Sequence, residues 1–203
     1  MKAHKYLEAA GISQADFLQG PTFSIRKTYN KLRGDFPKVQ SRKMLCNNQG
    51  CPRWIFIHYL AIYGRLATKD RLIKWSINCN PTCPLCENWP ESNNHLFFQC
   101  PVTHEVWEKI LTWQGIQRQI YTWDQEQRWA NKHAHGNNAR AEIYRMALSG
   151  CIYYTWKERN MRVFQQKKKT TAVLVKQIIQ DIHTKGEKKP RNAKRLRELN
   201  FYP

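Results

Sequence analysis

The chain has 203 residues, 41% of them apolar and 12% aromatic, which is enough to bury a core and excludes general disorder. Its 34 Lys and Arg against 15 Asp and Glu give a net charge of +19, a balance that favours polyanionic partners because each phosphate contact releases condensed counterions. No apolar run is long enough to span a bilayer, no secretory signal core opens the chain, and seven cysteines at this length do not read as a disulfide framework.

Residues 1–21 read as a lead-in that closes at the turn signal Gly20-Pro21. Ser24 is placed to cap a short helix carrying Tyr29 and Leu32. Residues 34–51 read as loop, and CNNQG at 46–50 fits no motif. The run 52–63, opened by Pro52 and stopped by Gly64, is apolar on most sides and is expected to be the most buried helix. Trp54 and Phe56 belong to its expected core. Thr68 caps a second helix that offers Leu72 and Trp75 to the same core.

Next come Cys83, Cys86, His95 and Cys100, in the spacing C-x2-C-x8-H-x4-C. Thiolates and a neutral imidazole bunched in this way are the donor set of a closed tetrahedral structural zinc site. Pro84 shapes the turn between the first two, and Ser92 is placed to cap the segment that presents His95. Cys79 and His104 lie close enough to compete for a position. Trp89 stands in the polar loop, either packed over the ligands or free to stack on an unpaired base.

Pro101 then opens an amphipathic helix with Val102, Val106, Trp107, Ile110 and Trp113 on one face. A helix is expected at about 124–134. A long one runs from Asn138 to about Lys168, with Ile143, Ala147, Cys151 and Tyr154 on a stripe, and Cys151 reads as a packed core thiol. Leu174, Ile178 and Ile182 mark a further helix, and the basic end is a short helix or a solvated tail. Strands are scarce. The fold class is all-α: a small zinc-stapled helical domain followed by a long-helix C-terminal extension.

FSIRKTYNKL at 23–32, the Trp54-Ile-Phe helix, GRLATKDRLIKW at 64–75, CPLC at 83–86, ESNNHLFFQC at 91–100 and Val106-Trp107 together resemble the zinc-binding domain of reverse transcriptases from plant LINE-type (non-LTR) retrotransposons. WKERNMRVF at 156–164 resembles the helical segment that often follows that domain. The resemblance covers a little under half the chain, and residues 35–51 depart from it. It implies that Cys83, Cys86, His95 and Cys100 hold a structural Zn2+, and that the domain helps grip template RNA or target DNA. The implied organisation is a lead-in 1–21, a reverse-transcriptase zinc-binding domain 22–108 with its knuckle at 83–100, and a helical extension 109–203.

No Asp-Asp pair, G-x-S-x-G, H-E-x-x-H or phosphate-cradling glycine loop occurs, and Glu91, Asp124 and Glu126 lie near no convergent histidine pattern, so catalysis is not expected. Nucleic-acid contacts, to RNA or DNA, are expected from Arg65, Lys69, Arg71, Lys74, Trp89, Lys167, Lys168, Lys169, Lys188, Lys189, Arg191, Lys194 and Arg195. The rival readings are a co-opted scaffold that meets a protein partner through its 138–184 helices, and a decayed fragment of the element without selected function. No membrane association is expected, and nuclear location is expected over cytoplasmic.

Overall fold

The computed structural model describes residues 26, 29, 30, 41–46 and 48–199. They fall into two units, Met1–Val39 and Gln40–Pro203. In the first, Arg26, Tyr29 and Asn30 are helical, and the lead-in, the Ser24 cap and Leu32 lie outside the described residues. The second contains α1 (Arg42–Cys46), α2 (Pro52–Ile62), α3 (Lys69–Lys74), α4 (Pro101–Trp113), α5 (Trp123–His133), α6 (Ala139–Gln165), α7 (Thr171–Gly186) and α8 (Pro190–Glu198). A π turn, His95–Gln99, precedes α4. Among the described residues there is no strand, only an isolated antiparallel bridge between Thr82 and Pro90. The fold is all-α, as the periodicities imply. The expected boundary at 108/109 falls inside α4.

α6 is the axis of the second unit, packed by α2, α4, α7 and α8. Every residue from Ala141 to Ile152 is buried. This overturns the expectation that 52–63 would be the most buried helix. α2 buries only Trp54, His58 and Ala61, a single stripe at helical spacing, and Phe56 is 58% exposed. The reason is position: α6 has neighbours all round, whereas α2 leans on it from one side. Gly150 makes that lean possible, since a Cβ there would sit 3.3 Å from the Trp54 ring. Cys151 is a core thiol, pushed up to about 12 by burial. The stripes of α6 and α7 that sequence offered to a partner are buried inside this same core.

α3 corrects a second expectation. None of its residues is buried, Leu72 is half-buried, and Trp75 is 53% exposed. A helix of six residues cannot present an apolar stripe of useful width. Instead Arg71 lies over the Trp75 ring at 4.6 Å and donates to the Gly64 carbonyl. The long helix also stops earlier than expected, at Gln165, where Gln166 turns left-handed at φ 54°. The basic end is a docked helix: Arg191 Nη2 and Asn192 Nδ2 donate to Glu142 of α6 at 2.7 and 2.9 Å, and Leu196 is buried. Among the described residues no helix is long and apolar enough to cross a membrane.

Within the CNNQG stretch, whose Cys46 ends α1, Asn48 proves structural. Asn48 is buried and donates to Arg145 O and Ser149 Oγ, both at 2.8 Å, while its Oδ1 accepts from Gly50 N. Ser149 Oγ passes the chain on to His58 Nδ1 at 2.8 Å, and His58 Nε2–H donates to Gln127 Oε1 at 3.2 Å. Burial holds His58 neutral, lowering it from 6.5 to about 4. The unfolded chain takes up a proton on this residue below about pH 6.5, while the folded chain refuses it until about pH 4. Stability from this group is therefore complete above the unfolded value and declines as pH falls between the two, by about 3 kcal/mol in all. Urea unfolding at pH 7 and pH 5 should show this slope in the parent and a shallower one in His58→Gln. Equal slopes would refute the assignment.

Candidate metal centre

The knuckle is a short hairpin. Cys83 N donates to Trp89 O at 2.7 Å, Glu91 N donates to Pro81 O at 2.8 Å, and Glu87 N closes the turn on Cys83 O at 2.9 Å. Glu87 holds φ 59°, the left-handed region that a side chain adopts at a cost, so the turn is stabilised from elsewhere. The second half comes from the π turn. Ser92 Oγ accepts from His95 N at 3.1 Å, the cap expected from sequence, and Cys100 N donates back to His95 O at 2.7 Å. In an α-helix residues five apart point about 140° away from one another. The i→i+5 bond widens the turn and brings His95 and Cys100 to one side. Thr103 Oγ1, donating to Leu96 O at 2.8 Å, pins the far end.

The donor atoms of Cys83, Cys86, His95 and Cys100 all lie within 4.8 Å of one another. Cys83 and Cys100 are fully buried, and Cys86 Sγ stands 3.3 Å from His95 Nε2. A hydrogen bond from Cys100, with the backbone N–H groups of Cys86 and Leu85, holds the Cys83 thiol down at about 5, while Cys100 is raised by the same bond and by burial. The pocket thus favours negative charge on the Cys83 sulfur. Three sulfurs and an imidazole at this spacing fit Zn2+ and complete a tetrahedron without an open position. Cys79 and His104, the two competitors, are outside the set; Cys79 Sγ instead lies 3.9 Å from Lys69 O.

Residues 23–107 match the family model described as zinc-binding in reverse transcriptase. Comparison with curated proteins and comparison with solved structures each gave no match. The matched residues cover all four candidate ligands and the packing around them, from Trp54 to Trp107.

Outside that region, α6 completes the site, through the very WKERNMRVF segment that sequence singled out. Arg159 pairs with Glu91 at 3.0 Å, with side chains 4% and 0% exposed. Arg162 Nη1 donates to Leu85 O at 2.8 Å, and its Nε pairs with Glu158 at 2.8 Å. Asn94 Oδ1 accepts from Trp123 N at 2.8 Å and ties the π turn to α5, whose Trp123 ring lies 5.1 Å from Phe97 and 5.7 Å from Phe98. Sequence reasoning weighed Glu91 only as a catalytic acid and gave Arg159, Arg162 and Asn94 no role at the site. The spacing of Arg159 and Arg162 on one helical face was the available signal.

The expected nucleic-acid residues divide into two groups. Lys69 Nζ donates to Thr82 O at 2.6 Å, Arg71 to the 64–66 backbone, and Lys169 Nζ to Gln177 Oε1 at 3.0 Å. Lys189 and Arg191 pair with Glu142, and Arg195 with Glu198. These cations are occupied in holding the fold. Arg65, Lys74, Lys167, Lys168, Lys188 and Lys194 are exposed, and Trp89 is 60% exposed and so does not pack over the ligands.

Proposed function

We propose that the chain is a non-catalytic, zinc-stapled helical module that binds single-stranded nucleic acid and derives from the part of a plant LINE-type reverse transcriptase downstream of its polymerase. The observation that carries the reading is the exposure of two indoles, Trp89 in the knuckle and Trp75 at the end of α3. Trp75 and Trp89 are each more than half exposed, with Arg71 stacked on the first and Arg65 and Lys74 exposed on and beside α3. Exposed indoles among cations are stacking platforms for unpaired bases, and phosphates take the cations. A filled Cys3His tetrahedron leaves the metal no position for a reacting group, which supports a structural role. The net charge of +19 supplies sequence-independent attraction.

The reading is tested by titrating labelled oligo(U) and oligo(dT) with the zinc-loaded chain at several salt concentrations. The logarithm of affinity should fall linearly with the logarithm of salt, and Trp75→Ala with Trp89→Ala should weaken binding by about tenfold or more. Binding that ignores salt, or none near physiological salt, would overturn it. A complex with a protein partner and none with either oligonucleotide would favour the scaffold reading.

A further inference from the structure

Away from the knuckle, α5 carries a ladder of rings. The Arg118 guanidinium lies 4.1 Å from the Trp129 ring centre and 5.4 Å from that of Tyr121, and the His133 imidazole stacks on Trp129 at 4.4 Å with 21° between planes. Every rung is held in place. Arg118 grips Glu126 through both terminal nitrogens at 2.6 Å and donates to Tyr144 Oη at 3.1 Å. Glu126 is fully buried and also accepts from Trp107 Nε1 and Tyr121 N. His133 Nδ1–H donates to Trp129 O at 2.9 Å, which fixes the ring. The stack needs no ligand to order it.

A cavity of about 320 Å³ and a shallow, open depression of similar volume border this ladder. Trp129 and His133 line both and form the wall between them. The cavity adds Asn138, Arg140 and Tyr144; the depression adds Tyr121, Arg128 and Lys132. His133, Arg128, Lys132 and Arg140 are exposed, and among the described residues none of the last three is in an ion pair. Each volume lies within the range of about 300–1,000 Å³ usual for small-ligand cavities, ample for a planar base.

We propose that this ladder binds two consecutive unpaired bases of a single strand, one on each side of the Trp129–His133 wall, with the flanking phosphates on Arg128, Lys132 and Arg140. The inference rests on the reading that the chain binds nucleic acid and adds a second site on a different element from the knuckle. Stacking on rings and guanidinium planes accepts any base, and the cations on both sides fix where the backbone runs. The rings do what an uncharged contact does, so their contribution survives salt better than that of the lysines.

The test uses the zinc-loaded full chain and fluorescein-labelled oligo(U) and oligo(dT), read by anisotropy. His133→Ala removes a ring at an exposed position and should weaken binding by about tenfold at an unchanged melting temperature. His133→Tyr should restore it, and the tighter of the two oligonucleotides names the strand. If His133→Ala binds as the parent does while the Trp75 and Trp89 variants do not, the ladder is no binding site although the wider reading stands. A parent that binds neither oligonucleotide overturns both. Displacement of the oligonucleotide by polyglutamate at equal charge concentration would overturn the stacking role as well.

Discussion

Serine at both Cys83 and Cys86 is expected to abolish metal binding and to unfold the second unit, not merely to loosen the hairpin. A structural zinc site contributes about 10 kcal/mol of apparent free energy, which rivals the whole stability of a domain, about 5–15 kcal/mol. Nothing else in the knuckle can replace that sum. Its hairpin has two ladder-like bonds and a residue at positive φ, and both inner cysteines belong to the same apolar cluster as Trp107 and the buried face of α6. In the double variant the buried Cys100 sulfur loses both the cation and its Cys83 partner. Metal content and far-ultraviolet melting decide the matter: a double variant that loses metal yet melts with the parent would show that the staple carries no folding free energy.

The second large effect concerns Glu91 and Arg159. Burial raises the Glu91 carboxyl above its ordinary value, and Arg159 only partly offsets this. The ionised carboxylate therefore costs stability: what this group contributes is complete below its unfolded value and is lost as pH rises through the folded one. The pair is thus retained for its geometry and not for net energy, which matches the general behaviour of buried ion pairs. Breaking it is another matter. Arg159→Met leaves a buried carboxylate with only the Lys69 N–H as a donor and no cation, and should cost about 3–5 kcal/mol; Glu91→Gln leaves a buried guanidinium without its counter-charge. The double variant should cost clearly less than the sum, because the two losses share one cause. Urea unfolding of the four proteins measures the coupling, and strict additivity would dissolve the pair as a unit.

These two pairs also mark where sequence reading ends. The candidate donor cluster was legible because all four residues lie within one short window and their spacing is itself the chemistry. The turn that joins His95 to Cys100 was not, since H-x4-C is written identically for an α turn and a π turn, and the choice follows from closing the cup. α4 and α7 were legible as clean stripes, Val106 to Trp113 and Leu174 to Ile182. In α2 apolar density does not translate into burial, because its aromatics Phe56 and Tyr59 face outward. α6 hid its depth behind charge. Glu142, Arg145, Glu158 and Arg159 carry charge, yet all four are buried and bonded, which only the partners' positions reveal. Asn48 was silent for the same reason, its partners lying about a hundred positions onward.

The clamp on the knuckle has a consequence for how the chain is made. Arg159 meets Glu91 across 68 positions, and Arg162 meets Leu85 across 77. At ordinary synthesis rates, about 5–20 residues per second, the three ligand sulfurs have left the ribosome's active centre for several seconds before their clamp has been polymerised. During that interval the hairpin has neither the carboxylate's partner nor the guanidinium that caps its turn. Whatever cation it captures is held by a site still lacking its lid, and the finished cup is a late product of translation.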